Sequence, residues 1–112
     1  MASVKLSKFV EAMGFKNLTP DIDLTKIRLT VPDINRPALQ LTGYFEHFDK
    51  ERVQMVGYVE YTYLQNMPLE RKIEIYRQYL SYEVPCTIFC SLASPDPEFL
   101  ELAVQFGRPV FY

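Results

Sequence analysis

Glycine is scarce in these 112 residues: only Gly14, Gly43, Gly57 and Gly107 occur, all far apart. Neither GxxxxGK(S/T) nor GxGxxG can be written with them, which excludes a glycine-rich loop that wraps phosphates in backbone amides. Histidine occurs once, as His47 in the polar connection FEHFDKER. Ser–His–Asp or Cys–His catalysis would rest on that single imidazole, and its polar surroundings predict an exposed side chain. Cysteine occurs twice, as Cys86 and Cys90 in VPCTIFC. In an extended segment their Cα atoms stand roughly 13 Å apart at ~3.3 Å per residue, too far for a disulfide. A metal site would need more ligands than these. Two buried free thiols are expected, in a reducing compartment.

No charge of one sign dominates. The net charge is −2, with 12 basic and 14 acidic residues interspersed. A phosphate backbone wants a basic stripe, so neither nucleic acid nor an anionic membrane surface is an expected partner. The start, MASVKLSKFVEAMGF, lacks the long apolar centre of a secretory signal, and no run approaches a membrane span. A cytoplasmic location is expected. Acidic residues are scattered over helix faces, which gives a glycosidase-like carboxylate pair no support.

What is present is ordinary in hydrophobic content, 48%, and rich in Tyr and Phe, eight of each with no Trp. Tyr suits a half-wet surface as well as a core. The length predicts one domain over residues 1–112, enough for a core but short for an enzyme that must also hold a large substrate.

Along the chain, Val4 and Leu6 in SVKLS alternate with polar residues like a short strand. Ser7 then caps a short helix bearing Phe9, Val10 and Met13, with Gly14 as its left-handed terminator. KNLTPDID reads as a loop, and Ile27, Leu29 and Val31 form a period-two strand. RVQMVGYVEY reads as an inner strand apolar on both faces, with EYTYLQNM as one short helical turn after it. PLERKIEIYRQYLSY places Leu69, Ile73, Tyr76 and Leu80 at helical spacing behind Pro68, with Arg71, Glu74 and Arg77 solvated.

The last third is the clearest. VPCTIFCSL is a continuous apolar run; Asp96 and Pro97 open a helix with Phe99, Ala103 and Phe106 on one stripe, and Gly107 ends it before the strand RPVFY. Strand, helix and strand make a βαβ unit with parallel strands. The predicted fold class is α/β, a mixed or mostly parallel sheet with helices packed on it. The chain stops at Tyr112 at the end of that strand without a polar tail, the ending expected of a domain cut from a longer polypeptide.

One constellation stands out. VPDINRPALQLTGYF sets Asp33, Asn35, Arg36, Pro37 and Gly43 between two apolar runs. Asp33 and Asn35 form side-chain-to-backbone turns, and Pro37 biases Arg36 toward extended geometry. The stretch predicts a turn, followed by a strand LQLTGYF or a helical turn ended by Gly43. Arg36, held by these neighbours, is also shaped to offer a bidentate fork to a carboxylate or phosphate, with Tyr44 beside it. Asp33, Asn35, Arg36 and Tyr44 are therefore the candidate ligand or partner contacts.

The span DINRPALQLTGYFEHFDKERVQMVGYVEYTYL, residues 33–64, resembles the signature of the N-terminal domain of bacterial HPr kinase/phosphorylase. That signature is a variant of D-x-x-RP-G-x-x-x-x-GYF followed by ERVQ-L-G-x-x-E. It is met by Arg36, Pro37, Gly43, Tyr44 and Phe45, then by Glu51, Arg52, Val53, Gln54, Gly57 and Glu60. VPCTIFC, the acidic-proline helix start and GRPVFY keep the family's order, so the resemblance covers essentially the whole chain. Ala38 replaces a glycine common in the family, which predicts a negative φ there.

The resemblance implies a parent enzyme of the phosphotransferase system, active in carbon catabolite repression. It uses ATP or pyrophosphate with Mg²⁺ to phosphorylate a serine of the carrier HPr, and reverses that by phosphorolysis. The family places this chemistry, the ATP and Mg²⁺, and the hexamer in a C-terminal P-loop domain with no counterpart in these residues. Catalytic, cofactor-binding and metal residues are accordingly expected to be none. The fold implied is that of the Mur ligase N-terminal domain. The implied role is a non-catalytic regulatory or accessory domain whose partners are its own C-terminal kinase domain and HPr. A sensor for a small anionic ligand, a sugar phosphate or nucleotide sugar, is the alternative.

Overall fold

Four parallel strands run in the order of their appearance, and that order fixes the architecture. In the computed structural model, which describes residues 3–90 and 92–112, the sheet is β3(Ile34–Asn35), β4(Val53–Val56), β5(Thr87–Phe89) and β6(Val110–Phe111), in that order. Ile34 pairs with Val53, Met55 with Ile88, and Thr87 with Val110. A sequential parallel order with crossovers of one hand puts every connection on the same face. The connections are a 3₁₀ turn over Gln40–Thr42, helices α2(Tyr58–Gln65) and α3(Leu69–Ser81), and α4(Pro97–Phe106). An α/β fold with a C-terminal β5–α4–β6 unit is observed.

Side-chain alternation along the strands feeds two cores. Val56, Phe89 and Val110 face the helices, where they join Leu64, Tyr76, Tyr79, Leu80 and Phe99. Val53, Ile88 and Phe111 face the other way, with Cys86, toward α1(Leu6–Met13). The second face is closed by Leu6 and Phe9 and by a small antiparallel ribbon, β1(Val4–Lys5) with β2(Arg28–Leu29). A central strand buried on both faces needs apolar residues on both, as β4 has. The outer side of β6 is covered too: Lys16 and Tyr112 exchange both backbone bonds at 2.9 Å, and the Leu18 N–H donates to the Val110 carbonyl at 2.9 Å.

Several elements differ from the sequence reading. Leu6 begins α1 rather than ending a strand, and Ser7 lies inside the first turn because Lys5 holds the extended cap position. The strand predicted over residues 27–31 pairs only at Arg28–Leu29, the length that β1 can match. The strand RVQMVGYVEY stops at Val56, and two full turns of α2 follow where one short turn is expected. On α3 the buried arc is Ile75, Tyr76, Tyr79 and Leu80, while Leu69 is exposed. Ala38 has the expected negative φ, since His47 and Leu92 alone among the described non-glycine residues are positive. Gly14 and Gly107 end their helices in the left-handed conformation as predicted. Ser91, within the predicted run VPCTIFCSL, lies outside the described residues.

Both cysteines are free; burial pushes the Cys86 thiol up to about 12, which leaves it an inert core group. Asp96 stands at the N-cap of α4, yet its carboxylate bonds across to α2 and α3 rather than to its own helix. Lys72 Nζ donates at 2.8 Å, the Tyr76 hydroxyl at 2.7 Å and Gln65 Nε2 at 3.3 Å. Burial works against the charged carboxylate, but these hydrogen bonds outweigh it and hold its pKa below the ordinary 3.8. A depressed carboxylate pKa contributes stability that is present above the unfolded value and is lost as pH falls through the folded one. Asp96→Asn is therefore expected to cost about 1–2 kcal/mol at neutral pH. Below pH 4 the difference from the parent should shrink, as read by urea unfolding across pH; a constant difference down to pH 2 would show that Asp96 does not titrate with folding.

Candidate functional site

Arg36 leaves the end of β3, and Gly57 leaves the end of the neighbouring β4 into the first turn of α2. Parallel strands deliver both to the same end of the sheet. Glu60, the third residue of α2, lies between them and is buried. Its carboxylate accepts Arg36 Nε at 2.9 Å and Nη2 at 3.2 Å, and also the Gly57 N–H at 2.7 Å. The last bond is half of a capping box, in which an acid reaches back to its own helix cap. Glycine has no side chain to return the bond, and Arg36 takes that space instead.

The glycines of the signature are explained by arginines. A Cβ on Gly57 would fall on Arg36 Nη2, and one on Gly43 would fall 2.6 Å from Arg71 Nη2. Gly43 also terminates the 3₁₀ turn at φ 99°, a conformation that glycine adopts without strain. These close approaches admit the protein's own guanidinium groups.

Asn35 and Gln54 complete a polar network one register step away. Asn35 Nδ2 donates to Gln54 Oε1 at 2.7 Å, and Gln54 Nε2 donates to the carbonyls of Asp49 and Arg52 at 3.0 and 2.9 Å. Gln54 is wholly buried, which makes full satisfaction of its amide obligatory. Phe45 stacks on Tyr82 at 5.4 Å and meets Phe48 edge-on at 5.8 Å.

Of the four candidate contact residues, the structure brings Asn35 and Arg36 to the end of β3. Arg36 points its fork at Glu60, and Asn35 bonds Gln54. Asp33 and Tyr44 are exposed on either side of this stretch and do not join the network. Glu60 and Gln54 carry the site, and neither was singled out for it by local pattern. Glu60 had one readable signal, an acid three residues after a glycine at the start of an apolar run. Among the described residues no three of His, Cys, Asp and Glu converge as metal ligands, and no helix is long and apolar enough to cross a membrane. The sheet order also contains no reversal, and reversals are where open α/β sheets form their ligand crevices.

A one-way parallel sheet with its connecting helices on one face, its signature side chains bonded to one another, defines a small α/β domain. The chain belongs to the family described as HPr Serine kinase N terminus, whose model matches residues 4–112. It is 44% identical over 111 residues to the HPr kinase/phosphorylase of Lachnoclostridium phytofermentans, covering 99% of this chain and 36% of the relative. The HPr kinase/phosphorylase of Clostridium acetobutylicum is 37% identical over 105 residues, and that of Caldicellulosiruptor bescii 32% over 105. Each of these two covers 94% of this chain and 34% of its own length. The chain thus spans about a third of the curated relatives it matches.

Proposed function

We propose that residues 1–112 form a non-catalytic accessory domain that regulates or positions an HPr kinase/phosphorylase module, within the control of carbon catabolite repression. One observation carries this reading: the fork of Arg36, the best anion ligand in the sequence, is engaged by the buried Glu60. A reaction needs a nucleophile, a base or an electrophile left free to meet substrate, and here the polar signature is taken up by internal bonds. On this reading ATP, pyrophosphate and Mg²⁺ act on a companion domain, HPr is that domain's substrate, and assembly follows the companion. The same internal pairing weighs against the anionic-ligand sensor, because Glu60 already neutralises Arg36 and occupies its Nε–Nη2 edge. The two free thiols support a reducing, cytoplasmic setting.

The test is direct. Incubated with HPr, ATP or pyrophosphate, and Mg²⁺, the chain alone is expected to leave HPr without phosphoserine by mass spectrometry. Detectable phospho-HPr above a no-protein control would overturn the assignment.

A further inference from the structure

We infer that residues 3–31 form a lid that opens as one unit while the sheet and α2–α4 stay folded, uncovering a second, apolar surface. The opening is independent of the accessory-domain reading above. The first observation is burial. Among residues 3–31 only Leu6 and Thr19 are buried. The sheet face beneath them, Val53, Cys86, Ile88 and Phe111, is at most 5% exposed. The rest of its cover is half-buried: Phe9, Val10, Phe15, Leu24, Ile27 and Leu29. The core on the other face takes only the half-buried Leu18 from the lid. An eight-residue helix and a ribbon of two-residue strands are each marginal alone. The lid therefore depends on the sheet for its order, whereas the larger core does not depend on the lid.

The second observation is the seam. Among the described residues, every hydrogen bond that crosses it lands on Val110 or Tyr112. Lys16 and Tyr112 exchange two, Leu18 donates to the Val110 carbonyl, and the Val110 N–H donates to Thr19 Oγ1 at 3.0 Å. No ion pair among the described residues crosses it. Two hollows open along it. One, of about 550 Å³, lies between Val4, Phe9 and Leu29 of the lid and Ile34 and Val53 of the sheet. The other, of about 310 Å³, lies between Ile27 and Arg28 of the lid and Val84 and Pro109. Packed interiors hold few such voids, and atoms lining one lose their dispersion partners.

The third observation is connectivity. The lid is one continuous stretch, and its two strands pair with each other. Its single bridge to the sheet joins Asn17 to Phe111 at the outer edge of β6. Lifting it therefore leaves the β3–β4–β5–β6 ladder complete. Contiguous units with few buried apolar contacts are those that open below the free energy of global unfolding. Opening exchanges a surface bearing Lys8 and Glu11 for one bearing Val53, Ile88 and Phe111. A regulator that binds the two surfaces differently would shift the balance between them.

The experiment is native-state hydrogen exchange of the 112-residue chain in urea concentrations below its unfolding transition. The amides of Lys16, Leu18, Val110 and Tyr112, whose bonds cross the seam, form one set. Those of Gln54, Thr87 and Cys90, bonded within the sheet, form the other. The first set is expected to share one protection factor, at least tenfold below that of the second and less steeply dependent on urea. Iodoacetamide should label Cys86 with the protection of the first set. Leu64→Ala, in the core on the far face, should lower the second set at least tenfold and leave the first within twofold, because the open form keeps Leu64 buried. One protection factor and one urea slope for both sets would overturn the inference by showing a single cooperative unit. Scatter of more than tenfold within the first set, or Cys86 protected like the second, would overturn it by showing only fraying at the edge of β6. None of these outcomes touches phosphoryl transfer, so the accessory-domain reading stands or falls separately.

Discussion

Truncation of Tyr79 to alanine is expected to destabilise the protein by about 3–5 kcal/mol, the range for removing a large aromatic from a closed core. The side chain is 1% exposed on the face of α3 that meets the sheet, with Phe48 at 5.9 Å and Phe99 at 6.2 Å between ring centres. Its hydroxyl shares a hydrogen bond of 2.7 Å with the fully buried Thr87 of β5. Total stability of a domain this size is of order 5–15 kcal/mol, so one such loss removes much of it. In urea the midpoint should fall with little change in slope. Tyr79→Phe keeps the ring and strands only the Thr87 hydroxyl, at a cost of about 1–2 kcal/mol. Adding Thr87→Val to Tyr79→Phe should recover most of that loss, because both polar partners are then gone. If the double variant were as unstable as the two single losses combined, the hydroxyl pair would not be the source of the cost.

The βαβ unit over residues 87–111 was legible because its signals are local. Asp96–Pro97 and Gly107 punctuate α4, and Thr87–Phe89 is apolar enough to lie in the middle of a sheet. α2 is a full helix where the sequence suggests one short turn. With Tyr58, Val59, Tyr61, Tyr63 and Leu64 distributed around it, no helical stripe distinguishes it from a continuing strand. β3 is two residues long inside turn-forming sequence, and pairing with β4 makes it a strand. The buried arc of α3 turned toward Ile75 and Tyr79 because the helix is held between the 3₁₀ turn and α4, a placement set by tertiary packing. At the site, Asn35 and Arg36 could be marked from spacing, but their partners stand 19 and 24 residues away. Spacing along a chain does not show which buried acid will meet which arginine.

Glu60→Ala is expected to cost about 2–3 kcal/mol, somewhat under the 3–5 kcal/mol for breaking a fully buried pair, since Arg36 is half in water. The substitution strands two guanidinium donors and the Gly57 N–H. Glu60→Gln keeps an acceptor for the amide and removes the charge, so about 1 kcal/mol should be lost instead. The sharper measurement is a double-mutant cycle between Gly57 and Arg36. Gly57 lies at φ −97°, where alanine fits without backbone strain, and a Gly→Ala change at such a place ordinarily stabilises by up to ~1 kcal/mol. In the parent, however, the new Cβ would fall on Arg36 Nη2 and drive the fork off Glu60. Gly57→Ala should therefore cost about 1–2 kcal/mol in the parent and nothing, or less than nothing, when Arg36 is already alanine. That coupling of 1 kcal/mol or more, read from chemical denaturation of the four proteins, would assign the glycine to the guanidinium it admits. Additive effects would mean that Gly57 answers to something other than Arg36, and the signature would need another explanation.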